Sequence, residues 1–405
     1  MKILFLHPNF PAQFRHLATV LGQDQQHTVV FATNRQQGQI KGVNKVIYTK
    51  SRDARPETHH YVRSLENAVL EAQGVYRIAQ KLKDQGFYPD VVYGHSGWGP
   101  TLFMKDVFSR ATLLCYFEWY YNAYGSDASF DPSDPINADD EARIRTKNAP
   151  ILLDLVSCDL GLSPTAWQRA QFPQEFQPKI KVHHDGIDTS YFKPLPEAKL
   201  FLPRINLDLT EAQEIVTYVA RGMEPYRGFP QLIETISVLQ QKRPQCHFVI
   251  VGKNRVAYGK NLPDGQNYKD LMLEKFPLDL NRVHFTDLIP YDEYLQVLQA
   301  SDVHIYLTRP FVLSWSMLEA LATGCLIVAS DTAPVTEVIE DNVNGLLVDF
   351  FDVQQICDRV IEALDDPQGM AAIRQRARET IKDRYDLATL LPQHLQWIND
   401  AAASK

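Results

Sequence analysis

Two arginines stand six residues apart in the stretch "ARGMEPYRGF" at 220–229, among Gly222, Pro225 and Gly228. The stretch follows an apolar strand pattern, EIVTYVAR, and precedes a helical one. At that spacing Arg221 and Arg227 can converge on one anion. The helix start adds unpaired N–H groups and the positive end of a dipole. An arginine fork matches phosphate oxygens and keeps its charge at neutral pH. A second reading pairs one arginine with Glu224 and leaves the other solvated.

The stretch "RPFVLSWSMLEALATGCLIVAS" at 309–330 reads as a polar loop, a short helix and a buried strand. Ser314 and Ser316 are capping residues that would aim the first amides at the loop mouth. A diphosphate between the two stretches would receive positive charge from both sides. Glu319, among the apolar Leu318, Ala320 and Leu321, offers two oxygens to a vicinal diol and needs a partner if it is buried. Otherwise it complements the helix N-terminus, a contribution of about 0.3–1 kcal/mol.

A third group follows the strand TLLCYFE: Glu118, then Trp119, Tyr120 and Tyr121. A carboxylate and three rings at a strand mouth suit carbohydrate, whose C–H faces lie on aromatic rings. The alternative is an aromatic cluster packing the loop from Trp119 to Pro150, which is long and acidic and for that reason reads as functional or mobile. His95, in YGHSGWG, also ends a strand. His183 and His184 are adjacent on a strand and point to opposite faces, so they cannot share a metal. Asp365 and Asp366 fall late on a surface helix and open no D-x-D metal motif.

The elements that must position these residues alternate. KILFL, HTVVFAT, KVIYT, DVVYGH, TLLCYFE, DLGLS and KIKVHHDG are strand candidates in the first half. A long amphipathic helix over 58–85 carries Tyr61, Leu65, Ala68, Val69, Ala72, Tyr76, Ala79 and Leu82 on one stripe. The second half repeats the grammar with EIVTYVAR, HFVIVG, RVHFTDL, VHIYLT, LIVAS and GLLVDF. Strands separated by helices imply parallel sheets with right-handed crossovers. The Pro-rich segment 194–203 is the natural join, and a ligand cleft is expected between the halves, beyond the strands' carboxyl ends.

Composition narrows the class. At 405 residues the chain exceeds one ordinary core. A net charge of −8 argues against nucleic acid as a partner. Basic residues recurring between Lys41 and Arg55 read as a solvated loop, with a peripheral membrane contact left open. Five scattered cysteines, at 115, 158, 246, 325 and 357, form neither a zinc site nor a disulfide framework and suit a reducing cytosol. MKILFLHPNF reads as a first strand, not a signal sequence. No apolar run approaches transmembrane length.

Together these motifs resemble the retaining glycosyltransferases of family 4, which have the GT-B fold. The basic pair and the "SWSMLEALATGCLIVAS" helix carry the resemblance, with HHDGID at 183–188 and YDLATLLPQHLQWI at 385–398 in support. It implies Arg221 and Arg227 on the nucleotide diphosphate, Arg227 standing where most members have lysine. It implies Glu319, the second glutamate of an E-x7-E pattern, on the ribose hydroxyls. Phe311 stands in place of the first glutamate, which leaves the donor sugar open. Val312, Leu313, Ser314 and Trp315 take the loop whose backbone amides meet sugar and phosphate, with Ser316 beside them. In the N-terminal half, Pro11 and Ala12 replace the family's paired glycines, and Asn9, Gln13, Arg15 and His16 could line the cleft. Glu118 takes the slot of a histidine near the reacting sugar, and His95 and Trp119 fall on the acceptor side.

The expected protein is therefore α/β and GT-B, two Rossmann-like domains facing across a cleft. Residues 1–193 would form the acceptor-side domain, 204–384 the nucleotide-sugar donor domain, and 385–405 a helix packing back on the first. The implied activity is metal-independent, retaining sugar transfer in the cytoplasm from a nucleotide-diphosphate sugar, a UDP-sugar by family frequency, to an unknown acceptor. A nucleotide-sugar hydrolase or epimerase of the same fold, or a non-catalytic nucleotide-sugar binder, are the alternatives.

Overall fold

Apolar runs become strands, the central ones buried on both faces. In the computed structural model, which describes residues 1–404, the chain divides after Gly186 into two compact units. The first contains β1 (Lys2–Leu6), α1 (Arg15–Gln23), β2 (Thr28–Thr33), β3 (Val43–Ile47), α2 (Arg63–Asp84), β4 (Val91–His95), α3 (Met104–Val107) and β5 (Thr112–Tyr116). It continues through α4 (Ala138–Lys147), α5 (Ala149–Ser157), β6 (Leu160–Ser163), α6 (Ala166–Ala170) and β7 (Ile180–Val182). Its seven strands are parallel, in the order β3-β2-β1-β4-β5-β6-β7.

Side chains alternate across this sheet as the pleat requires. Ile3, Phe5, Phe31, Tyr93 and Leu114 fill one face with Phe14 and Leu17. Leu4, Leu6, Val30, Val92 and Leu113 fill the other against Val75, Ala79 and Leu82 of α2. That helix begins at Arg63, later than expected, and buries Val75 while Val69 is exposed.

The stretch 119–150 is not a plain loop. Within it α4 is opened by a capping box in which Asn137 and Asp140 satisfy each other's backbone amides. Asp139, Asp140 and Glu141 occupy its first turn, where the helix dipole favours negative charge.

The second unit, Ile187–Leu387, starts with a short antiparallel pair, β8 (Phe201–Leu202) and β9 (Leu207–Asp208). It then runs β10 (Glu214–Gly222), α7 (Phe229–Lys242), β11 (Cys246–Lys253), α8 (Tyr268–Lys275), β12 (Val283–Asp287), α9 (Tyr291–Gln299) and β13 (Val303–Tyr306). It closes with α10 (Trp315–Thr323), β14 (Ile327–Ser330), α11 (Ala333–Thr336), β15 (Leu346–Val348), α12 (Val353–Asp365) and α13 (Ala371–Arg384). The parallel order is β12-β11-β10-β13-β14-β15, the same doubly wound scheme as in the first unit.

The Pro-rich segment 194–203 is not the boundary. Leu200, Leu202, Leu207 and Leu209 are buried with Ile215 and Val249, so apolar packing and the β8–β9 pair hold it in the second unit. Arg378 adds hydrogen bonds to the Thr189 and Phe192 carbonyls. His183 and His184 lie just beyond β7 and are both buried.

The final helix, α14 (Leu387–Ala403), packs Ile398 and Ala401 into the first unit's core beside Ile3, Phe5 and Leu114. His394 Nε2 pairs with Tyr93 Oη at 3.0 Å, and His183 Nε2 with the Leu390 carbonyl at 3.0 Å. Burial pushes the His394 imidazole down to about 3.

Candidate functional site

In each sheet the strand order reverses beside its first strand, opening a crevice at the carboxyl ends where α/β proteins take ligands. In the second unit that point lies between β10 and β13. In the first it lies between β1 and β4.

At the end of β10, Arg221 is exposed and its Nη1 donates to Tyr258 Oη at 3.3 Å. The chain then makes one tight turn, Pro225–Arg227, and enters α7 through Gly228 at φ +66°. A Cβ on Gly228 would fall 2.4 Å from Leu307 Cβ, so a larger residue would displace the turn. The turn sends Arg227 inward, only 6% exposed.

Neutral acceptors surround the Arg227 guanidinium. Nη1 donates to Thr308 Oγ1 at 2.7 Å and Tyr306 Oη at 3.2 Å, and Nη2 to the Val312 carbonyl at 3.2 Å. Its Cζ stands 5.4 Å from the Tyr258 ring centre. The two expected cations are thus gathered about one tyrosine from a loop the sequence did not single out. Glu224, fully buried, accepts from the amides of Ala257 and Tyr258 and fixes that loop. Burial raises its carboxyl, opposed by those amides and by Arg227 and Arg255.

From β13 the chain passes to α10. Arg309, also missed, lies with its Cζ 5.1 Å from the Tyr226 ring centre. Phe311 is 7% exposed and packs edge-on against Tyr226 and Tyr258, at 5.5 and 5.2 Å. An aromatic box therefore surrounds Phe311, the residue read from the sequence as replacing the pattern's first glutamate. Val312 is buried and Leu313 half-buried. Ser314 caps α10 by accepting from the Ser316 amide at 3.3 Å, and their hydroxyls are 2.8 Å apart. The Ser314 amide, expected to face a ligand, donates instead to Tyr306 Oη at 3.0 Å. Trp315 is 38% exposed at the helix start.

Glu319 is 6% exposed, and its two oxygens accept from Tyr291 and Tyr294, the latter at 2.8 Å. These tyrosines are the partners a buried carboxylate needs. They begin α9, far away in sequence, so spacing alone gave no sign of them.

In the first unit, His95 ends β4 with its Nε2 3.4 Å from Glu118 Oε2. Its Nδ1 lies 2.8 Å from the Ser96 carbonyl. Glu118 Oε1 accepts from Gln13 Nε2 at 3.2 Å. His7, absent from the sequence candidates, lies 5.1 Å from His95 ring to ring, and its Nδ1 accepts the Asn9 amide at 2.8 Å. Asn9 Oδ1 is held by Arg35. Gln13, His95 and Glu118 thus form one polar group at the strand ends. Trp119 does not join it: the ring is 6% exposed, tilted against Trp167 at 6.3 Å. Tyr120 packs on Phe172, and Lys147 Nζ lies 3.6 Å over the Tyr121 ring. The rings after Glu118 pack the segment that follows them.

Residues 25–192 match a family model described as glycosyl transferase family 4 group, and residues 204–380 one described as glycosyl transferases group 1. A D-inositol 3-phosphate glycosyltransferase of Corynebacterium efficiens is 25% identical over 203 residues, 50% of this chain and 46% of that protein. A GDP-mannose-dependent alpha-(1-6)-phosphatidylinositol monomannoside mannosyltransferase of Mycolicibacterium smegmatis is 27% identical over 235 residues, 55% of this chain and 57% of the relative. The chain spans about half the length of the curated relatives it matches. Among solved structures, Anabaena HepE in complex with UDP-glucose is similar over 100% of both chains, with TM-score 0.70 and 18% identity. Sucrose-phosphate synthase from Thermosynechococcus elongatus is similar over 100% of both, with TM-score 0.73 and 17% identity.

Proposed function

We propose that this chain, which belongs to the glycosyl transferase family 4 group and has the GT-B fold, moves a sugar from a nucleoside-diphosphate sugar to a hydroxyl acceptor with retention and without a metal ion. The observation that carries the proposal is Arg227, a buried guanidinium among neutral acceptors, with Arg221 beside the same Tyr258. Glu224 offsets part of its charge through space, while Thr308, Tyr306 and Val312 accept its hydrogen bonds without carrying charge, so a diphosphate would add a directly bonded anion.

When the bond from the anomeric carbon to the diphosphate oxygen breaks, the electron pair and its charge pass to the diphosphate. Arg221 and Arg227 stabilise that charge. Preorganised charge of this kind is the largest single source of rate in such reactions. The acceptor oxygen bonds the anomeric carbon on the face the diphosphate leaves, and its proton goes to a phosphate oxygen. In the first unit, acceptor binding is assigned to the group of Gln13, His95 and Glu118, of which Gln13 and Glu118 are part-exposed and His95 is buried.

UDP-sugars are the first donors to test, with GDP-mannose next because a relative is named for it. Among the described residues no helix is long and apolar enough to cross a membrane. The acceptor class proposed is wide: a saccharide, a lipid-linked saccharide or a small metabolite.

A thermal-shift screen with UDP, GDP, ADP and their sugar conjugates tests the donor assignment. At least one nucleotide diphosphate should raise the midpoint by more than its nucleoside does; silence from all would end the proposal. Incubating the selected donor alone, with EDTA present, and following the sugar by NMR tests the chemistry. Slow hydrolysis and fast transfer once an acceptor is added are expected. Rapid release or epimerisation of the sugar would replace transfer with hydrolase or epimerase activity.

A further inference from the structure

The loop after β4 holds an aromatic side chain in water. Trp98 is 51% exposed, whereas Trp119 is 6% and Trp315 38% exposed. Its ring stands 5.9 Å from His95, nearly perpendicular to the imidazole, which is the residue paired with Glu118.

The loop that presents Trp98 is fixed at several points. Gly97 and Gly99 flank it at φ +89° and +110°, conformations that side-chain-bearing residues rarely adopt. At Gly99 a Cβ would lie 2.0 Å from the Ala68 carbonyl oxygen, so the backbone rests directly on α2. Beneath it, Asp154 is completely buried and accepts from Ser96 Oγ at 2.7 Å and Thr101 Oγ1 at 2.8 Å, tying the two ends of the loop to α5. Burying a carboxylate is costly unless hydrogen bonds compensate it. Here those bonds hold the loop in one shape, and that shape keeps an indole out of the core.

We propose that Trp98 is the platform of the acceptor site and that the acceptor presents a six-membered ring polyol, a pyranoside or a cyclitol, to it. Such a ring has an apolar C–H face, which an indole covers, and an equatorial belt of hydroxyls. The Glu118 carboxylate, a third exposed and 3.4 Å from the buried His95 imidazole, supplies a polar partner for that belt. An open-chain polyol has the same hydroxyls and no flat face. The inference rests on the transferase reading and names the substrate class of its acceptor side.

The full chain carrying ¹⁵N-labelled tryptophan tests it. The Trp98 indole signal is identified by its loss in Trp98→Phe. Methyl α-D-mannopyranoside, methyl α-D-glucopyranoside and myo-inositol are titrated separately, with mannitol as the acyclic control. At least one ring polyol should shift the Trp98 signal saturably while mannitol does not, and the responding arm tells pyranoside from cyclitol. No response to any ring polyol, or an equal response to mannitol, overturns the proposal. With that ring as acceptor, Trp98→Ala should raise its KM about tenfold, the size of one aromatic contact, and Trp98→Phe should recover most of it. Equal rises in donor and acceptor KM would mark a merely structural residue and refute the platform. Titration of the same samples with UDP and GDP reports separately on the donor reading: nucleotide binding beside a silent Trp98 condemns only the platform.

Discussion

Removing the Arg227 guanidinium should weaken diphosphate binding and leave nucleoside binding in place. At 6% exposure the charge is barely screened by solvent. A unit charge about 4 Å from a phosphate oxygen contributes roughly 4 kcal/mol at an effective dielectric constant near 20. Arg221, exposed and free to adjust, recovers part of that. A net loss of about 3 kcal/mol corresponds to an affinity for UDP lowered on the order of 10²-fold. Arg227→Ala also leaves Thr308 Oγ1 and the Val312 carbonyl without that donor, while Tyr306 keeps the Ser314 amide, which costs stability of about 1–3 kcal/mol for each group left unsatisfied. Calorimetric titration with uridine beside UDP separates the two effects, because uridine has no phosphate for Arg227 to meet. Uridine affinity should stay within about twofold of wild type, the size of a few tenths of a kcal/mol. Arg227→Lys, which keeps a compact charge but loses the fork, should fall between. Equal losses for uridine and UDP, or no loss for UDP, would refute the electrostatic argument.

Further outcomes follow from the same geometry. Wild type should bind UDP more tightly than 2′-deoxy-UDP, and Glu319→Gln should erase that preference; a preference that survives would make Glu319 only the anchor of Tyr291 and Tyr294. Gly228→Ala, forced to φ +66° against Leu307, should destabilise the protein by about 2–4 kcal/mol in urea unfolding and weaken UDP binding with it. Burial pushes His184, His304 and His394 down to about 3, below the ordinary value of 6.5 that they regain on unfolding. The unfolded chain therefore binds more protons between those values, so this stability is complete above pH 6.5 and is lost as pH falls toward 3. At pH 5 each histidine should cost about 2 kcal/mol, read as a urea midpoint lower than at pH 7.5.

The central strands of the two parallel sheets were legible because buried parallel strands are continuous apolar runs, and the turn holding Arg221 and Arg227 followed from where one of them ends. The cap at Ser314 was legible for a similar local reason. The helix α4 was not, because none of its residues is buried and no apolar stripe marks it. The leucines at 200, 202, 207 and 209 do alternate, but Pro203 between them reads as a linker until the strands are seen paired. Tyr258, Tyr291 and Tyr294 reach the candidate site from other loops and helices, and only tertiary folding reveals them. The rings after Glu118 illustrate the converse. Their composition suited a ligand, whereas the structure spends Trp119 on Trp167 and leaves Trp98, an isolated residue between glycines, in solvent.

Ile398 and Ala401 complete a core whose other members lie within the first 162 residues. During synthesis the ribosome releases every strand of that sheet long before it releases α14. Until then Tyr93 and Leu114 on the sheet, and Thr112 Oγ1, which later donates to the Ala401 carbonyl, await their partners. The intervening unit has no such debt, since its own strands and helices are contiguous. It can complete its core while its predecessor still lacks Ile398 and Ala401.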